Sequence, residues 1–76
     1  MRPPYYEIRV QGHLDTTWSV WFDGLTLTTL PHGETVLAGY LVDQAALHGV
    51  LAKVRDLGLP LLAVATVPAP PGAETH

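Results

Sequence analysis

Polar and apolar residues alternate from Tyr5 to Leu14. Tyr6, Ile8, Val10 and Leu14 share one parity, and Glu7, Arg9, Gln11 and His13 share the other. A period of two predicts a strand with one buried face, with Gly12 as its end or a bulge. From Asp43 the period changes. Leu47, Val50, Leu51, Val54 and Leu57 fall at i, i+3, i+4, i+7 and i+10, one stripe of an amphipathic helix. Asp43 is placed to cap its first turn, and Ala45, Ala46 and Ala52 favour helix. Lys53 and Arg55 suit the negative end of the helix dipole, which Asp56 opposes. Gly58 suits a left-handed stop, and Pro60 prevents continuation.

Between these segments, residues 15–24 (DTTWSVWFDG) place Trp18, Trp21, Phe22 and Leu25 at i, i+3, i+4 and i+7. This predicts a helix of about two turns with Asp15 as N-cap and Gly24 as stop, which forms only if it packs. Because Trp18, Val20 and Phe22 also alternate, a strand is the competing reading. Leu25 to Leu30 reads as a strand. Pro31-His32-Gly33-Glu34 reads as a turn, and Thr35 to Val42 as the returning strand. Leu61 to Val67 (LLAVATV) is apolar on both faces, which predicts a central strand or one covered on both sides.

The resulting order is strand, short helix, strand, strand, long helix, strand. That is the ferredoxin-like βαββαβ order, an α+β fold with a four-stranded antiparallel sheet and both helices on one face. The other face is left open, with Leu37 and Leu41, or their neighbours of opposite parity, as its apolar residues. Residues 5–67 form the single domain, residues 1–4 a flexible arm, and the Pro-rich residues 68–76 a disordered tail.

Composition changes this picture in one respect. Charged residues make up 14% of the chain and hydrophobic residues 47%, against roughly 25% charged in a typical soluble domain. A 76-residue chain has much surface for its volume, so apolar surface buried between subunits, in a homodimer or another homo-oligomer, is the simplest reconciliation. A net charge of −3 with four Lys plus Arg disfavours nucleic acid and anionic membrane as partners. No apolar run is long enough to span a bilayer, so cytoplasm is the expected compartment. There is no cysteine, hence no disulfide or thiolate chemistry.

Candidate chemistry is sparse. Trp18 and Trp21 either fill the core under the short helix or form the aromatic wall of a pocket or interface. His13 and Asp15 flank Leu14, and a His–Asp pair can exchange protons, but a third member is lacking and Asp15 is more simply a cap. His48 lies on the helix flank with Gln44 and Arg55, away from the centre of the stripe, where it and Tyr40 are candidate interface or pocket residues. His13 and His48 are the only candidates for acid–base catalysis. His13, His32, His48 and His76 match no metal-ligand spacing, so neither a metal nor a cofactor is expected.

Several runs carry a resemblance to other chains. Tyr6-Glu7-Ile8-Arg9-Val10-x-Gly12-His13-Leu14 comes first, then Trp18-x-x-Trp21-Phe22-x-Gly24-Leu25. Asp43-Gln44-Ala45-Ala46-Leu47-His48-Gly49 and Asp56-Leu57-Gly58-Leu59-Pro60-Leu61 follow. Across about residues 5–67 the chain resembles a group of short, uncharacterised bacterial proteins. The resemblance implies a bacterial cytoplasmic origin and carries no activity, cofactor or site residue. The reading that follows is a small non-enzymatic homo-oligomeric module binding a partner protein or an apolar small ligand. The alternative is a small dimeric enzyme of the α+β-barrel kind, with a pocket of Trp18, Trp21 and Tyr40 and a histidine as acid–base.

Overall fold

The computed structural model describes residues 4–22 and 25–69. The expected arm (apart from Pro4), Asp23–Gly24 and most of the expected tail therefore lie outside the described residues. Strand β1 (Tyr5–Gln11) is followed by a 3-10 turn (Thr16–Ser19), β2 (Thr26–Thr29), β3 (Glu34–Tyr40), helix α1 (Gln44–Asp56) and β4 (Leu61–Val67). The strands form one antiparallel sheet in the order β2-β3-β1-β4. Each of its ends is thus an edge strand, β2 on one side and β4 on the other.

The ferredoxin-like βαββαβ expectation is overturned. Among the described residues there is one α-helix, and the order of strands and helix is β-β-β-α-β. The segment expected to be the first helix makes a single 3-10 turn. Asp15 caps it as expected, its carboxylate accepting from the Thr17 amide at 3.1 Å and from the Thr17 hydroxyl. The turn does not propagate, because Thr17, Val20 and the three aromatic residues lose side-chain freedom in a helix. So few residues also cannot offset the entropy of nucleating one.

Helix α1 starts and stops where its sequence says. The Asp43 carboxylate accepts from the Ala46 amide at 2.8 Å. At the other end the Gly58 amide donates to the Arg55 carbonyl at 2.9 Å and the Leu59 amide to the Val54 carbonyl at 3.2 Å. With Gly58 at φ +74°, this pair of bonds is a Schellman stop. The helix buries Val50 and Val54, and sets Leu47, Leu51 and Leu57 half-buried beside them.

The core lies between α1 and one face of the sheet. Ile8 pairs with Leu37, and Leu37 with Leu27. Paired residues share a face, so these three form one buried row, joined by Val10, Leu14, Phe22, Leu25 and Leu41. Leu37 and Leu41 therefore belong to the covered face. The open face carries their neighbours Val36, Ala38 and Tyr40 beside Glu7 and Arg9.

The last strand is also a correction. Among the described residues Leu61–Val67 is not central but an edge, paired with β1 alone, and it is exposed on both sides from Leu61 to Thr66. Ile8 in β1 is fully buried, whereas Val64 directly opposite it is 39% exposed. The helix covers the sheet as far as β1 and leaves β4 bare.

Candidate functional site

The 3-10 turn and the three residues after it place their aromatic side chains in two different environments. Phe22 points inward and is fully buried. Trp18 and Trp21 stay at the surface, 36% and 39% exposed, their rings 5.7 Å apart at an interplanar angle of 77°. Trp21 also meets Phe22 edge-on, with centroids 5.1 Å apart, so it leans on the core without entering it. Edge-to-face geometry sets the positive rim of one ring against the negative face of the other.

Lys53, from the last turn of α1, reaches across to this pair. Its ammonium donates to the Trp21 carbonyl at 2.7 Å and lies 5.6 Å from the centre of the Trp21 ring. One lysine thus ties the segment after the 3-10 turn to the helix by a charge-assisted hydrogen bond and a cation–π contact. Thr17, Trp18, Val20, Trp21 and Lys53 line a shallow groove, open along one side, of about 640 Å³. Among the described lining residues there is neither a histidine nor a carboxylate.

The remaining residues singled out in the sequence do not gather here. Tyr40 lies opposite Tyr5 on the open face and stacks edge-on against it at 5.1 Å. The 3-10 turn follows the far end of β1, about 20 Å away at roughly 3.3 Å per residue. Gln44, His48 and Arg55 are exposed along α1. Arg55 has an ion pair with neighbouring Asp56 at 3.9 Å, a surface contact of little energetic consequence. His13 is exposed beyond the end of β1, and Asp15 is engaged in its cap.

Lys53 is the groove residue that sequence reasoning missed. Its position in the last helical turn suggested only a favourable dipole contact. The signal that it meets the tryptophans is long-range and is absent from any local pattern. Sequence reasoning also passed over a polar cluster at the β2–β3 hairpin. There Glu34 sits between Arg9 at 3.6 Å and His32 at 3.3 Å, and the Gln11 amide group donates to the Gly33 carbonyl at 3.1 Å. Among the described residues no group of histidine and acidic side chains is arranged to hold a metal ion, and no helix is long and apolar enough to cross a membrane.

Residues 5–65 match a family model described as a domain of unknown function, DUF8691. A search of curated proteins and one of solved structures each found no match.

Proposed function

We propose, from the premise that this chain belongs to the DUF8691 family and takes no activity from it, that the protein is a non-enzymatic homo-oligomeric module. Its Trp18–Trp21 groove takes an apolar or aromatic side chain of a partner protein. One observation carries this reading: two tryptophans of a small domain stand more than a third exposed, in contact with each other and braced by Lys53. Large aromatic residues at a surface are favoured where binding removes them from water, and tryptophan leads the residues whose truncation weakens interfaces most. The openness of the groove favours a protein surface over a small molecule, which is held by burying most of its own area. A bacterial cytoplasmic setting belongs to the same reading and rests on the resemblance of the residue runs alone.

A photo-crosslinking side chain in place of Val20, at the groove's rim, tests this in the encoding organism. The expected result is one recurring crosslinked protein whose capture is lost in Trp18→Ala and Trp21→Ala. Crosslinks that persist unchanged in both variants would remove the groove from the proposal.

A further inference from the structure

The two edges of the sheet are built differently. β2 is four residues long, Thr-Leu-Thr-Thr, and an edge this short offers little backbone to a neighbour. β4 is seven residues long, without a charge or an internal proline. Leu61, Leu62 and Val64 stand 49%, 46% and 39% exposed along it. Natural sheets protect such edges with charge, proline or bulges. Here a single register shift at the start of β4 is the only such device.

The backbone groups that β4 leaves free follow from its hydrogen bonds. The Pro4 carbonyl accepts from Leu41, just past β3, and the Gln11 amide donates to Pro60, just before β4. Backbone groups alternate sides along an antiparallel strand, so the odd residues of β1 face β4. Their partners Ala63, Ala65 and Val67 turn their amides and carbonyls inward. Val64 and Thr66 turn theirs outward, with no backbone partner among the described residues.

We infer that β4 is the interface between two copies of this chain. The strands pair edge to edge and antiparallel about a two-fold axis at Val64, which joins the two sheets into one. The inference rests on the homo-oligomeric part of the reading above and names the surface that makes the oligomer.

The strand is matched to itself in this register. Val64 opposes the second copy's Val64, Ala63 opposes Ala65 and Leu62 opposes Thr66, and the register shift at Leu61 ends the match there, so large residues meet small or medium ones and no like charges meet. On the open face each row reads Arg9, Ala63, the second copy's Ala65, the second copy's Glu7, because Arg9 pairs with Ala63 and Glu7 with Ala65 within each chain. Opposite charges thus flank a strip of alanine, and long side chains reach toward each other across it. On the helix side, Leu62 and Val64 of both copies meet in the bare channel between the two helices. About four to six new ladder bonds form. The buried area is on the order of 1,000 Å², the low end for a specific interface, which fits a dimer that dissociates near micromolar concentration.

The open face is the competing surface for a second copy. It carries Glu7 and Arg9 on its central strand, which a face-to-face dimer would bury, whereas edge pairing leaves them in water.

Sedimentation and light scattering of the full chain between about 5 and 500 µM test the inference. Val64→Pro deletes only an outward amide, and proline is tolerated at that side of an edge strand. Val64→Lys adds charge at the axis and keeps the amide. Wild type is expected to dimerise, and each variant to raise Kd at least tenfold with unchanged far-ultraviolet circular dichroism. If Val64→Pro loses the fold, Val64→Lys gives the answer. A wild-type dimer untouched by Val64→Lys but split by Ala38→Glu would overturn the edge interface and keep the oligomer. A wild type monomeric at every concentration would overturn both.

Discussion

The Thr35 hydroxyl, fully buried, donates to the Gly12 carbonyl at 2.6 Å and accepts from the Leu14 amide at 3.2 Å. One side chain of β3 thereby holds the chain as it leaves β1 and turns toward the tryptophans. Gly12 sits there at φ +125°, a conformation that strains any L side chain, and a Cβ added to it would lie 2.9 Å from the end of the Leu59 side chain. Thr35→Val keeps the shape and leaves a buried amide and a part-buried carbonyl unpaired. We expect a loss of about 2 kcal/mol, read as a lower urea midpoint, with Thr35→Ser closer to wild type.

Phe22 and Trp18 are four residues apart and should respond in opposite ways to truncation. Phe22→Ala empties a fully buried site and should cost about 3–5 kcal/mol, enough to unfold much of a marginal small domain. Trp18→Ala removes a ring at the surface and should cost less than about 1 kcal/mol. Thermal unfolding of the two variants separates a core aromatic from one held out of the core.

How far these elements were legible follows from what hydrophobic spacing encodes. β1 and α1 were legible because each has one wet face and one dry face, so periodicity reports both type and orientation. The caps were legible because Asp43, Gly58 and Pro60 act within a few residues of themselves. β4 was misread for a physical reason. A strand apolar on both sides has the same pattern whether the covering layer is a helix, a neighbouring strand or a second molecule. The segment from Asp15 was misread because the helical spacing of Trp18, Trp21 and Phe22 is also the spacing of a tight turn that buries only Phe22 and Leu25. Of the candidate site, the two tryptophans were visible as residues, but the contact of Trp21 with Lys53 joins residues 32 positions apart.

Asp43→Ala should cost about 1 kcal/mol through loss of the bond to the Ala46 amide. At the scale usual for a domain of this size, that lowers Tm by about 4–8 °C. Asp43→Asn keeps the acceptor and should stay within a degree or two of wild type.

Lys53→Met retains most of the aliphatic stem and deletes the ammonium. The Trp21 carbonyl loses its donor and the indole its cation. We expect roughly 0.5–1 kcal/mol of destabilisation and a fall in tryptophan fluorescence anisotropy as the rings gain freedom. An anisotropy equal to wild type would show that Lys53 does not brace the groove.

In the dimer proposed above, the inequality between the two edges of the sheet governs how far assembly can proceed. Joining two β4 strands uses up both long edges and leaves a four-residue β2 at each outer end. Because the contact is the same patch meeting itself, one encounter satisfies it. The product has a definite size and terminates itself, so a chain with little surface charge can associate without propagating into fibres.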